Sequence, residues 1–152
     1  TALYALAQTA GGCVGTILAN LMFELDAINV SHKPRSSGAL WLSEVIATVG
    51  LLLVIHGCVR TGRASVVPFA VGSWIGGAYW FTSSTSFANP AVTIGRTLTD
   101  TFAGIAPSSV PAFIAFQLVG GALALAVSLY LHPSLDPDDV VVPHDTATGA
   151  PP

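Results

Sequence analysis

Apolar positions in this chain come in continuous blocks, without the alternation of a half-buried strand or the single stripe of an amphipathic helix. The first block covers about 2–25 and holds no charge before Glu24. The second, about 39–59, holds one charge, Glu44. The third, about 64–81, and the fourth, 110–131, hold none. A hydrocarbon core of ~30 Å needs ~20 helical residues to cross it, and each block is of that order. The pattern predicts an all-α membrane protein with four transmembrane helices. The connectors are of different kinds: 26–38 is a polar loop with Lys33, Pro34 and Arg35, and 60–63 is a tight basic turn, RTGR. The segment 82–109 is long, carries an Asn-Pro step and is still mostly apolar. After Leu131 the chain turns proline-rich and acidic, with Asp136, Asp138, Asp139 and Asp145, which predicts a disordered tail over 132–152 outside the membrane.

Composition narrows the function classes. Of 152 residues, 52% are hydrophobic and only 9% charged, whereas a soluble domain carries about 25% charged residues. Five basic residues and a net charge of −3 give no electrostatic footprint for nucleic acid. No nucleophile–base constellation, phosphate loop or cluster of metal ligands is visible, so neither an enzyme nor a cofactor or metal is expected. Cys13 and Cys58 lie inside apolar runs and read as small hydrophobes. The basic residues of the two loops tie at two against two, Lys33 and Arg35 against Arg60 and Arg63, so charge does not orient the chain.

The chemistry is concentrated in one segment, Ser86-Phe87-Ala88-Asn89-Pro90-Ala91-Val92-Thr93-Ile94-Gly95-Arg96. Asn89 suits an N-cap and Pro90 the first helical position, where its missing N–H costs nothing. The helix so begun, about 89–102, is much shorter than a span and is flanked by spans. That predicts a half-membrane helix preceded by an irregular strand, 82–88, with five Ser or Thr residues. Irregular backbone at membrane depth is tolerated where it is buried in protein or lines a water-filled path. A helix N-terminus aimed into such a path carries roughly half a positive charge and repels cations. The Asn89 amide would donate to a passing neutral solute and the preceding carbonyls would accept from it. A second signal is an internal echo: Gln8-x-x-Gly11-Gly12 and Gln117-x-x-Gly120-Gly121 each open a long apolar run. Close helix packing through small residues explains the glycines, as it does Gly11-x-x-x-Gly15 and Gly72-x-x-x-Gly76. Repeated halves are also a habit of channels and transporters.

The stretch SFANPAVTIGRTLTDTFAGI after AYWFTSST resembles the second signature loop of the aquaporin, or major intrinsic protein, family. The resemblance runs from about Tyr4 to Leu131. It makes Asn89, Pro90 and Ala91 the pore motif, likens the Gln8 and Gln117 segments to the family's third and sixth helices, and likens Glu44 with Thr48 to paired positions in the fourth. It implies an aquaporin-like bundle whose 2–131 region holds four membrane helices and one half-helix. It further implies a homotetramer in membrane lipid passing small neutral solutes, in a bacterial inner membrane. The chain opens at Thr1, without counterparts of the first two helices and the first half-helix. It is therefore read as the C-terminal part of a channel.

Where the family usually has Arg directly after the second Asn-Pro-Ala, this chain has Val92. Counting back without gaps makes Ser86 and Gly77 the other filter positions. Gly, Ser and Val together imply a wide, weakly polar filter. Such a filter resembles that of the aquaporin-like channels of bacterial arsenic-resistance systems, and implies metalloid hydroxides such as arsenite, with glycerol or water, as solutes. Two alternatives stand beside this reading: a glycerol or water facilitator without an arsenic role, and a truncated, non-conducting half-channel.

Other polar residues are set against plainer roles. A carboxylate at membrane depth costs roughly 3 kcal/mol on insertion scales, so Glu44 needs partners. The resemblance implies backbone N–H groups of the Ser/Thr-rich loop; a proton relay is the alternative. His56 suits packing near a span end or a pH gate. Arg96 and Asp100 stand four apart and could pair.

Overall fold

The computed structural model describes residues 2–131; the tail expected over 132–152 lies outside them. The described residues form five α-helices: α1 Ala2–Met22, α2 Gly38–Arg60, α3 Val67–Phe81, α4 Pro90–Gly95 and α5 Val110–Leu131. Short 3-10 turns at Ala64–Val66, Arg96–Leu98 and Pro107–Ser109 precede α3, follow α4 and lead into α5. There is no strand among the described residues.

The helix ends follow local chemistry. Glu24, at φ 58°, closes α1 in the left-handed region; its N–H and that of Leu25 reach back to the carbonyls of Leu21 and Asn20. Helix α1 therefore stops at Met22, short of the 2–25 block. Ser37 caps α2, its Oγ accepting from Leu40 N–H at 3.3 Å. In the RTGR turn Gly62 sits at φ 69°, and the N–H groups of Gly62 and Arg63 bond to the carbonyls of Val59 and Cys58. This glycine-closed terminus turns α2 back into α3. Pro68 lies in the first turn of α3, and Pro107 starts the turn into α5.

Helices α1, α2 and α5 (with its leading turn) are long and apolar enough to cross a membrane. Helix α3 has 15 residues, a rise of about 22 Å against a core of ~30 Å. It is thus shorter than the 64–81 block, whose first residues go into the 3-10 turn. Burial is inverted relative to a soluble domain. Leu3, Met22, Phe69, Trp80 and Tyr130 are exposed, while Asn20, Arg35, Glu44, Ser84, Thr93 and Gln117 are buried. An apolar exterior around a largely hydrogen-bonded polar interior suits lipid as solvent, and this is an integral membrane protein.

Helices α2 and α5 form the central pair. Trp41 stacks on Phe116 with ring centroids 5.2 Å apart, Glu44 bonds to Gln117, and His56 Nδ1 lies 2.8 Å from Ser128 Oγ. The partners ascend together, so the two helices run parallel. Midway, a Cβ on Gly120 would stand 2.9 Å from both Thr48 Cβ and Val45 O, so only glycine permits this approach. Helix α3 returns antiparallel along α2, with Trp74 lying over Gly50 and its Nε1 donating to Ala47 O at 3.1 Å. Helix α1 meets the rest chiefly through α4 and the turn after it. The apolar cluster of Phe87, Ile105 and Phe113, flanked by Leu40, Trp41 and Val110, closes one end of the bundle.

Candidate functional site

The segment 82–98 enters the bundle and is anchored on three sides. Its descending strand is strained: Thr85, Ser86 and Ala88 have φ of 65°, 48° and 47°. Left-handed backbone costs a non-glycine residue about 1 kcal/mol or more. Hydrogen bonds to buried side chains offset that cost. Glu44, fully buried on α2, accepts from Phe87 N–H through Oε1 and from Ala88 N–H through Oε2, both at 2.9 Å. Gln117 Nε2 donates to Glu44 Oε2 at 2.7 Å and to Thr93 Oγ1 at 2.9 Å. Thr93 Oγ1 in turn donates to Asn89 O at 2.9 Å. One network therefore links α2, α5, the irregular strand and α4.

Asn89 caps α4, its Oδ1 accepting from Ala91 N–H at 2.8 Å and Val92 N–H at 3.4 Å. Those bonds spend the first helical N–H groups and the amide oxygen, and leave the amide NH2 as the donor. Pro90 is exposed and Ala91 buried. Helix α4 is shorter than the expected 89–102: it ends at Gly95, one 3-10 turn follows to Leu98, and Thr99 is extended. The reason lies in the neighbours. Ser31 N–H takes Thr97 O at 2.8 Å, Asn29 N–H takes Leu98 O at 3.1 Å, and Asn20 Nδ2 takes Leu98 O at 2.8 Å. Carbonyls that would continue the helix are committed to α1 and its loop.

Two glycines let α4 lie against α1. A Cβ on Gly95 would stand 2.9 Å from both C and O of Gly12, and one on Gly12 would stand 3.3 Å from Ala91 O. Gly11, Gly15, Gly72 and Gly76 have open space at that position. The echoed glycines are therefore not used alike, since Gly12 meets α4 but Gly120 meets α2.

Arg35 is buried and was not singled out from the sequence beyond its charge. Its Nε, Nη1 and Nη2 donate to the carbonyls of Gly104, Ser84 and Phe102 at 2.7, 2.8 and 2.8 Å, and its N–H donates to Ser109 Oγ at 3.0 Å. Burial, then the like charge of Arg96, holds its pKa below the ordinary arginine value. Phe87 lies between two guanidinium groups, 4.8 Å from Arg35 and 4.2 Å from Arg96. Nothing local distinguishes Arg35 from a solvated loop arginine. Asn20 was also missed, although a lone amide in an apolar run is a visible signal that a buried partner is needed.

Arg96 and Asp100 do not pair. Arg96 Nη1 donates to Thr85 Oγ1 at 3.3 Å, and Asp100 turns to His32, accepting its N–H at 2.9 Å with Nδ1 3.1 Å from Oδ2. The His32 backbone N–H and then its ring hold the Asp100 carboxyl below the usual carboxylate range.

An open, mostly apolar groove of ≈ 790 Å³ lies between α1, α3 and the α4 segment. Val92, Arg96 and Tyr79 form one side and Gly12, Thr16 and Asn20 the other. Of the filter positions, Val92 lines this groove, Ser86 is buried, and Gly77 is exposed on α3 with open space where a Cβ would point. Of the supporting positions, Glu44 and Gln117 meet at the re-entrant strand. Thr48 is buried beside Gly120 without a partner for Oγ1, and Gln8 is exposed on α1. No group of three or more His, Cys, Asp or Glu side chains among the described residues could hold a metal ion.

The chain is similar to aquaglyceroporin AqpS of Rhizobium meliloti (strain 1021), with 48% identity over 130 residues, covering 86% of this chain and 55% of that protein. It thus spans about half the length of the curated relative it matches. No family model and no solved structure matches the chain.

Proposed function

Because the chain belongs to the aquaporin, or major intrinsic protein, family, we propose that it forms one wall of a passive transmembrane path for small neutral solutes. The observation that carries this reading is the Asn89 cap. The amide oxygen is spent on Ala91 and Val92, which leaves its NH2 as a donor, and Val92, whose N–H the cap holds, lines a groove without a carboxylate in its wall. A neutral hydroxylated solute can accept from that amide, and the apolar wall with Val92 takes its carbon or metalloid face. The solutes we assign are metalloid hydroxides such as arsenite, with glycerol and water. Val92 leaves the groove wide at the position next to the cap. The relative's printed name, aquaglyceroporin, supports the polyol class. Assembly as a homotetramer in a bacterial inner membrane completes the proposal.

The test is solute flux into vesicles bearing the full chain. Asn89→Ala should lower glycerol and arsenite flux together at equal protein abundance; unchanged flux overturns the role of the cap. Val92→Arg should cut arsenite and glycerol more than water. Equal arsenite uptake in both forms removes Val92 from the reading and leaves a general glycerol or water facilitator.

A further inference from the structure

We infer that Asn20 is a specificity residue of this groove: its side-chain carbonyl accepts a hydrogen bond from the solute, so the path favours solutes that can donate one. The inference rests on the channel reading above and deepens it by naming an acceptor in the wall. Asn20 lies near the end of α1 and lines the groove on the side across from Val92, although the residue is only 2% exposed. Its Nδ2 donates to Leu98 O at 2.8 Å and to Ala27 O at 3.3 Å. Two carbonyls can only accept, so the atom that faces them is the amide nitrogen, and the oxygen points elsewhere. Both amide protons are thereby committed. Oδ1 accepts from no group among the described residues and is not sealed in the interior. The open space that Asn20 meets is the groove.

The rest of the lining leaves this oxygen without a rival. Among the residues that line the groove, Asn20 alone has a side-chain carbonyl, and none has a carboxylate. The neighbouring Thr16 hydroxyl donates to Gly12 O at 3.0 Å, so its proton does not reach Asn20. Phe23 and Leu25, at the same end of the groove, are apolar. A solute moving past such a wall displaces water from the oxygen. A hydroxyl replaces the lost hydrogen bond, whereas a solute that only accepts leaves the oxygen unpaired. The amide is already fixed by its two bonds, so little side-chain freedom is lost on contact. The amide NH2 of Asn89 is a donor and Asn20 Oδ1 an acceptor. A polyol or a metalloid hydroxide can serve both; an ether can serve only the first. One net hydrogen bond corresponds to about a three- to tenfold factor in passage.

The experiment compares 1,4-butanediol with its constitutional isomer 1,2-dimethoxyethane, which has the same chain length and no donor. Flux into vesicles bearing the full chain is measured above that of protein-free vesicles, with glycerol alongside. Asn20→Leu, which keeps the shape and removes the amide, should lower the diol-to-ether ratio about three- to tenfold. Asn20→Asp, which keeps acceptor oxygens and loses the NH2, should hold the ratio at or above the native value. A merely structural role, through the bonds to Leu98 and Ala27, would lower both fluxes together and leave the ratio unmoved. If Asn20→Leu does not reach the membrane, Asn20→Ser, which keeps a hydroxyl proton but no carbonyl, should show the same fall. A native ratio in Leu or Ser variants that still pass glycerol overturns the inference and leaves the channel reading standing, as does an Asp form whose ratio falls as far as theirs. A native chain that passes no glycerol overturns the channel reading itself.

Discussion

Replacing Glu44 with Gln tests the centre of the structure while changing one atom. The carboxylate accepts from Phe87 N–H, Ala88 N–H and Gln117 Nε2, all within 2.9 Å. A glutamine offers one acceptor oxygen and one NH2. If its oxygen serves Phe87, its NH2 faces Ala88 N–H, donor against donor. Gln117 can rotate so that its oxygen, which lacks a partner in the native arrangement, accepts from the new amide, but its bond to Thr93 Oγ1 is then lost. At least one buried N–H is orphaned beside Ala88, a residue already at φ 47°. A hydrogen bond to a charged group contributes about 1.5–3 kcal/mol, and an unsatisfied buried donor costs about 1–3 kcal/mol. These terms overlap, so Glu44→Gln should destabilise the chain by about 2–4 kcal/mol. The assay is equilibrium unfolding in detergent, alongside glycerol flux at matched abundance. Glu44→Asp, which keeps the charge but withdraws it, should fall between native and Gln in stability. A Gln variant within about 0.5 kcal/mol of native, with native flux, would show that the carboxylate does not hold the strand and would refute the network argument.

Three further outcomes are expected. Gly95→Ala should cost about 1–3 kcal/mol by overpacking, since its Cβ would stand 2.9 Å from the Gly12 backbone; Gly11→Ala, with open space, should be neutral or slightly stabilising in the same unfolding assay. Arg35→Met should leave the carbonyls of Ser84, Phe102 and Gly104 without their donor. We predict a loss of about 3 kcal/mol or more, with faster proteolysis within 82–106. The Asp100 tether depends on pH with a definite sign. Its folded-state pKa lies below its ordinary value, so its contribution is present above the ordinary carboxylate range and is lost as pH falls through the lowered value. Hydrogen exchange at the His32 amide should therefore show less protection at acid pH in the native chain, and no such change in Asp100→Asn.

The hydrophobic pattern alone determined the solvent of this protein. Uncharged blocks such as Val110–Leu131 have no stable place in water, so the membrane and the all-helical class follow from composition and length. The Asn89-Pro90 helix start was also legible, because capping is a local matter of one side chain and two following N–H groups. The need of Glu44 for partners was legible too, because a charge at membrane depth cannot stand alone. Nearest-neighbour chemistry could not supply the identity of contacts between residues far apart in the chain. Arg35 and Arg60 look equally like loop residues, yet Arg35 is buried among carbonyls from 84, 102 and 104. The Arg96–Asp100 spacing suits a pair, yet tertiary partners at Thr85 and His32 take both residues. Helix α4 stops where α1 and its loop claim its carbonyls, a competition that no local pattern encodes. Local preferences set where helices begin and which solvent they need. Only the packed structure decided which buried donors and acceptors meet, because that choice is made largely between segments that the sequence holds about forty to eighty residues apart.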